Sequence, residues 1–377
     1  MNILLTSVGR RGYLIDYFKK ALQGKGEVHV ANSSAVTPAF SRADHSVVTP
    51  LIYDKEYIDF LLTYCREYKI SVIISLFDVD LPILAKNKDR FAQIGVRVLV
   101  SDSDVINVCN DKWETYTYLC SHGINVPKTY LTLESAYEAI QIGKIDYPLI
   151  LKPRWGMGSI AVMKADNQQE LEVFYRKIKK EIQKSYLKYE SNEDISKAIL
   201  IQEVLNGQEY GLDVINDLEG NYQNTIVKQK YAMRSGETDC ALTVRWEEAD
   251  KLGKTLSILL HHIGNLDVDV FKVEEKIYVL EMNARFGGGY PFSHLAGVDL
   301  PQAIIDWMMY GETDRKNLMY KENVMGHKDI TVTLNTYTSV LEQFKERELD
   351  KVNQYYLNEN LIGNNLISEK NDNEKEI

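Results

Sequence analysis

A chain of 377 residues, 45% apolar and 26% charged, is long enough for two or three small domains and has the composition of an ordinary globular protein. Its 54 acidic against 44 basic residues, a net charge of −10, argue against a nucleic-acid scaffold, which carries a basic face. Apolar runs fall short of the ~20 residues that span a bilayer, and Cys65, Cys109, Cys120 and Cys240 form neither a CxxC pair nor a zinc pattern, as expected of thiols in a reducing cytoplasm.

Residues 2–6 read as a short buried strand, since Ile3, Leu4 and Leu5 run together before Ser7-Val8-Gly9. Arg10-Arg11 superficially resembles an export signal, but Asp16, Lys19 and Lys20 follow where an apolar stretch would be needed. Apolar spacing at Leu14, Ile15, Phe18 and Leu22 instead predicts a helix over 12–23. Strands are predicted at 28–31, 72–75 and 96–100, with a helix over 81–91. This alternation indicates a parallel sheet covered on both faces, ending near 101–103.

A helix opens near Asp111 and closes at Gly123. The pattern then changes to strands at 148–152, 160–163, 198–202, 210–215, 222–228, 242–245, 267–272 and 277–281, with a hairpin turn over 216–221. An antiparallel-rich α+β body therefore follows an α/β head. Residues 177–197 predict a helix with a mobile insertion, and the charged stretch 368–377 lacks an apolar face and reads as disordered.

Several chemistries are excluded by absence. There is no GxxxxGK[ST], no GxSxG, no HExxH, and no GxGxxG around Gly9 and Gly12 to support an NAD-type oxidoreductase. His261 and His262 are adjacent in a helical run, unsuited to sharing one face, and read as structural.

Four segments remain. Asn110-Asp111-Lys112 opens a helix. The strand Leu149-Ile150-Leu151-Lys152-Pro153 runs into a loop with Gly156, Gly158 and Ser159, where backbone can close on phosphates and an ammonium adds a point charge. Alone, that GxG is equally a plain turn. Gln202-Glu203-Val204-Leu205 is followed by Glu209, so extended backbone can meet an adenine edge and a carboxylate can take ribose hydroxyls. Glu209 alone is equally a surface acid. Most specific is Glu281-Met282-Asn283-Ala284-Arg285-Phe286-Gly287-Gly288-Gly289. On a strand Glu281 and Asn283 share one face, with Arg285 two further along, and oxygen donors so placed suit Mg²⁺. Asp269, on the neighbouring strand, can supply a third oxygen.

In this order the segments resemble the ATP-grasp superfamily, nearest to a single synthetase unit of the carbamoyl-phosphate synthase large subunit, over about residues 1–312. Ala284 stands where the family motif has proline, a second synthetase unit is not visible, and residues beyond about Asp329 match nothing recognisable. The resemblance implies an α/β plus α+β architecture: an N-terminal pre-ATP-grasp (Rossmann-like) domain over 1–105, then a two-lobed ATP-grasp fold. Its small lobe, with the glycine-loop lid, would be 106–200 and its large lobe, with the metal site, 201–328. Residues 329–377 would be a C-terminal extension with a disordered end.

The resemblance also implies roles. Lys112, Lys152 and the loop with Gly156, Gly158 and Ser159 would contact ATP phosphates, Glu203 and Leu205 would border adenine, and Glu209 would bind ribose. Asp269, Glu281 and Asn283 would hold Mg²⁺, or Mn²⁺ in its place. The catalytic set would be Arg285, Arg234 and Lys230, although spacing does not decide between Lys228 and Lys230 for the γ-phosphate. The acceptor carboxylate is expected between Arg234, Arg285 and the head near Ser7, Arg10 and Arg11. The implied activity is ATP-dependent joining of a small-molecule carboxylate to an amine through an acyl phosphate, releasing ADP and phosphate. Alternatives are carbamoyl-phosphate-synthase-like activation of bicarbonate or another small acid, or a non-catalytic ATP-binding regulator. A cytoplasmic protein with neither nucleic-acid nor membrane partner is expected, and a homodimer is compatible with the family.

Overall fold

The computed structural model describes residues 1–327 other than 157, 159, 193, 235 and 236, together with all their side chains except those of 192, 234, 237 and 327. The chain divides into compact units at 326/327. The expectations for 368–377 and for a C-terminal extension fall outside the described residues. Among the described residues no helix is long and apolar enough to cross a membrane.

The head contains β1 (Asn2–Thr6), α1 (Gly12–Leu22), β2 (Val28–Asn32), β3 (His45–Val48), α2 (Tyr57–Glu67), β4 (Ile70–Ser75), α3 (Leu81–Lys86), α4 (Lys88–Ala92) and β5 (Arg97–Val98). Its parallel sheet has the order β3-β2-β1-β4-β5. Ile3, Leu4 and Leu5 are fully buried because helices cover both faces, which is why β1 is a continuous apolar run and not an alternating one. On one face Leu4 and Ile73 pack with α2; on the other Leu5 and Val30 pack with α1 and with apolar residues near the chain's later helices. The helix expected over 81–91 is two, broken at Asn87.

Next come α5 (Ser103–Asn110), α6 (Lys112–Ser121), β6 (Thr129–Tyr130), α7 (Leu133–Gln141), β7 (Leu149–Pro153), β8 (Met163–Ala165), α8 (Gln168–Lys184) and β9 (Ile199–Glu203). The small-lobe sheet runs β6-β9-β7-β8. All five residues of β9 pair with β7, so this lobe reaches Glu203, and the expected boundary after residue 200 cuts through a strand. The boundary after 105 likewise falls inside α5. The strand returning from the glycine loop occupies Met163–Ala165, later than the expected 160–163. Leu171, Ile178 and Ile182 of α8 close a separate small-lobe core with Leu149, Leu151 and Ile199. Beyond α8, Tyr189 stacks on Tyr53 of the head at 4.2 Å, and the Tyr53 hydroxyl donates to Glu190 Oε1 at 2.5 Å.

The large lobe holds β10 (Gln208–Asn216), β11 (Tyr222–Arg234), β12 (Glu237–Val244), α9 (Glu247–Leu260), β13 (Asn265–Val273), β14 (Lys276–Asn283), α10 (Tyr290–Leu295), α11 (Leu300–Tyr310) and β15 (Met325–His327). Its sheet order is β14-β13-β10-β11-β12-β15. Helix α9 stops at Leu260 because His261 adopts a left-handed φ of 47°, so the histidine pair caps a helix instead of lying within one. His262 is buried, with Nε2 3.1 Å from the Val214 carbonyl, and burial lowers its pKa to about 4, consistent with the structural reading.

Candidate active site

Strand β7, interior to its sheet, places Lys152 near its end, where the residue is 7% exposed. Burial, with the like charge of Lys112, lowers its pKa to about 8 against the attraction of Glu281 and Asp269. The loop that follows needs its glycines. Gly156 has φ +102° and a Cβ there would lie 2.5 Å from Leu187 Cδ2, while Gly158 has φ +68°. Ser159 lies outside the described residues.

Asp111 caps α6 by accepting from the Trp113 and Glu114 amides, and Arg154 grips both carboxylate oxygens of Asp111 at 2.7 Å. This bidentate clamp fixes the base of the loop to the start of the helix that carries Lys112. Lys112 Nζ donates to the Gly156 carbonyl, so the helix and the loop tip are tied as well.

These elements wall a cavity of about 610 Å³, within the usual size range of a cofactor pocket. Ile150, Val162, Val204, Leu205, Phe271 and Leu280 supply apolar surface; Lys112, Lys152, Glu203, Glu209, Asp269 and Glu281 bring charge to it. Glu203 also accepts from the Lys128 amide at 2.8 Å, which orients its carboxylate.

The far wall comes from the large-lobe sheet. Pairing of β13 with β14 sets Asp269 opposite Glu281 and Asp267 opposite Asn283, as adjacency of the metal-ligand candidates requires. Lys230 Nζ lies 2.8 Å from Glu209 and 2.5 Å from Asp269, joining the ribose candidate to a metal candidate. Burial acts to lower the Lys230 pKa, but Asp269 and Glu209 outweigh it and keep the ammonium charged. Burial, with the carboxylates of Asp267, Glu281 and Glu209, pushes Asp269 up against the pull of Lys230. Lys228 is elsewhere: Nζ is 2.5 Å from Asp213 Oδ2, in a closed network with Ser293 and Asn265.

Arg285 does not continue the face of Glu281 and Asn283, because β14 ends at Asn283. It turns toward the head, where Nε and Nη2 lie 3.2 and 2.9 Å from Asp78 Oδ2 and Nη1 lies 3.1 Å from Asp267. Burial would lower its pKa, but these two carboxylates more than offset that.

A second cavity of about 520 Å³ adjoins here, lined by Asp78, Asn110, Asp111, Glu114, Glu190 and Asn283 among others. It shares Lys112, Trp155, Gly156 and Glu281 with the first. The expected arginine-rich acceptor corner is altered. Arg11 donates at 2.7 and 3.0 Å to the carbonyls of Leu76 and Phe286, Ser7 hydrogen-bonds Asp80 at 3.3 Å, and Arg10 is exposed. The Arg234 side chain lies outside the described residues.

The first cavity thus collects Lys112, Lys152, Gly156, Gly158, Glu203, Leu205, Glu209, Asp269 and Glu281, with Asn283 in the adjoining one. Sequence reasoning missed Asp78, Asp267, Arg154 and Glu190. Only Arg154 carried a local signal, as a basic residue beside the glycine loop. The donor set of two carboxylates and an amide oxygen, all hard, fits a magnesium-type ion.

Comparison with known proteins bears on the domains that carry these residues. Residues 3–99 match the PylC-like N-terminal domain and residues 109–289 match the ATP-grasp domain. The arginine-specific carbamoyl phosphate synthase large chain of Halalkalibacterium halodurans is 25% identical over 298 residues, 75% of this chain but 26% of that one. The Clostridium acetobutylicum carbamoyl phosphate synthase large chain is 25% identical over 288 residues, covering 73% of this chain and 25% of its own. The chain therefore spans about a quarter of the length of these curated relatives. In fold it is similar to biotin carboxylase from Campylobacter jejuni in a β,γ-ATP complex, with TM-score 0.66, 16% identity and coverage of 86% and 74% of the two chains. It is also similar to the L-amino acid ligase from Bacillus licheniformis, with TM-score 0.64, 20% identity and coverage of 86% and 79%. The chain carries an ATP-grasp domain behind a PylC-like N-terminal domain.

Proposed function

We propose that the protein is an ATP-dependent carboxylate–amine ligase that makes an amide or peptide bond and releases ADP and phosphate. The observation that carries this reading is the junction of the two cavities. A nucleotide-sized cavity with two lysines at one end opens, across Lys112 and Glu281, onto a second cavity of substrate size.

In this reading Glu209 takes the ribose, Glu203 and Leu205 border adenine, and Lys112, Lys152 and the loop of Gly156 and Gly158 hold the phosphates. Asp269, Glu281 and Asn283 would hold Mg²⁺, which would supply positive charge against the phosphates. Lys230 and Arg285 fix the charge balance of that wall, each between two acids. Direct amide formation fails in water because a carboxylate is a poor electrophile. Transfer of the terminal phosphoryl group to it gives an acyl phosphate, and attack by the amine then expels phosphate. Such catalysis is mostly positioning and charge neutralisation, which this chain's residues can supply. Glu114 and Glu190 bring carboxylates to the second cavity, where Asp78 is already paired with Arg285, and this suits an amine that arrives as its ammonium ion.

The test is turnover of pooled amino acids and small acids with ATP, reading ADP, AMP and phosphate and identifying product by mass spectrometry. ADP and phosphate in equal amounts with an amide product are expected. Stoichiometric AMP would reject the mechanism, and ADP formation dependent on bicarbonate alone would favour the carbamoyl-phosphate-synthase-like alternative.

A further inference from the structure

At the outer edge of the head sheet, the register of β2 with β3 makes His29 and His45 direct partners. Their rings lie 4.6 Å apart with planes 22° from parallel. Glu27, two residues before His29, brings Oε2 to 3.6 Å from His29 Nε2 and 3.5 Å from His45 Nε2. One donor atom from each residue lies within 4.8 Å of the other two.

The His29 ring explains why this differs from a surface charge cluster. His29 is fully buried, and its Nε2 has no hydrogen-bond partner. At 3.6 Å the Glu27 carboxylate is too far to be one. Its other nitrogen, Nδ1, is 2.9 Å from the Tyr64 hydroxyl. If Nδ1–H donates to that oxygen, the Nε2 lone pair points at Glu27 and His45, the tautomer and outer support that a metal-binding imidazole uses. Asp44 is not a competing ligand, since it is held by Lys19 at 2.7 Å and by the Val28 amide at 2.9 Å.

We propose that Glu27, His29 and His45 form a binding site for a divalent transition metal of the zinc class. Ligand distances of about 2.0–2.2 Å in a tetrahedral site imply donor–donor edges of roughly 3.3–3.6 Å. The two edges to Glu27 already match this to within a few tenths of an ångström. The third closes if the 44%-exposed His45 side chain tilts out of its stack, bringing the ion into both ring planes. Two imidazoles and one carboxylate select zinc-like ions over magnesium, whereas the Asp269, Glu281 and Asn283 set offers only hard oxygens. Such an ion would clasp β3, a four-residue edge strand with a mostly exposed surface, to β2, leaving a fourth position for water.

The experiment uses the full chain, stripped of metal with a chelator, at neutral pH with Mg²⁺ in millimolar excess to saturate the oxygen-only site. Zn²⁺ binding is measured by competition with a chromogenic chelator, and thermal unfolding is followed with and without Zn²⁺. Cys120→Ala serves as the background, because exposed Cys120 and His122 are close in sequence and could bind zinc adventitiously. One Zn²⁺ per chain and a zinc-dependent rise in the unfolding temperature are expected. His45→Ala and Glu27→Gln, both at exposed positions, should each weaken binding more than about tenfold and remove the thermal shift, with unchanged circular dichroism. No stoichiometric binding by the Cys120→Ala background, or equal affinity in the background and both variants, overturns the proposal.

Discussion

Lys228 and Lys230 are alternate residues on one strand, and the structure gives them opposite circumstances. Lys228 is 2% exposed and paired with Asp213, which is wholly buried. Replacing Lys228 with Met strands that carboxylate, and breaking a buried pair from one side costs about 3–5 kcal/mol. Asn265 and Ser293 still donate to Asp213, so the lower end, about 3 kcal/mol, is expected. At an m-value of about 3 kcal/mol/M, this moves the urea midpoint down by about 1 M. Lys230 pairs instead with Glu209 and Asp269, whose side chains are 27% and 20% exposed and line a cavity that admits water. Lys230→Met should shift the midpoint less than Lys228→Met does, because the two acids it leaves behind face the cavity and can hydrate, yet reduce ATP turnover by on the order of 10²-fold. The assays are urea unfolding by fluorescence and ADP release per folded molecule. A normal midpoint for Lys228→Met, or collapsed turnover in Lys228→Met with normal turnover in Lys230→Met, would refute the assignment and move the phosphate-facing role to Lys228.

Lys152 has a pKa lowered to about 8, so it is charged below that pH and neutral above it. Accordingly kcat/KM for ATP should fall above pH 8, by up to about tenfold per unit; a flat profile from neutral pH to well above 8 would separate Lys152 from the phosphates. Glu281→Gln should reduce Mg²⁺-dependent turnover by on the order of 10²-fold or more while leaving the unfolding midpoint nearly unchanged, and near-normal activity in saturating Mg²⁺ would misplace the metal. Glu209→Ala should raise KM for ATP far more than it lowers kcat, because ribose contacts are felt about equally in ground and transition states; the reverse pattern would put Glu209 at the reacting groups.

The parts of this arrangement that lie within one short stretch were legible in the sequence. Ile3 to Leu5 announced a strand buried on both faces, Lys152 with Gly156 and Gly158 announced a strand feeding a glycine loop, and Glu281 with Asn283 announced neighbouring positions on one strand. Features that depend on register or distant partners were not. Strand β3 was missed because its residues are mostly exposed and lack a buried alternation. Strand β11 runs to Arg234, past the expected end at 228, and its register with β12 shifts near Lys230 and Ala232, which breaks the period that marks a strand. Arg285 was expected to extend the metal face, yet its principal partner is Asp78, 207 residues away, and nothing local to either residue encodes that meeting. The Glu27, His29 and His45 cluster is hidden for the same reason: its histidines meet through pairing of β2 with β3.

The contact between Tyr53 of the head and Tyr189 and Glu190 beyond α8 also bears on how firmly the second cavity keeps its shape. Glu190 is both a wall of that cavity and one half of the contact, so loss of the contact frees that wall. A stacked, partly exposed aromatic pair and one hydrogen bond to a carboxylate together hold a net of about 2 kcal/mol after ordering costs. That leaves roughly 3% of molecules without the contact at any instant, and in that fraction the Glu190 wall of the cavity is no longer held to the head.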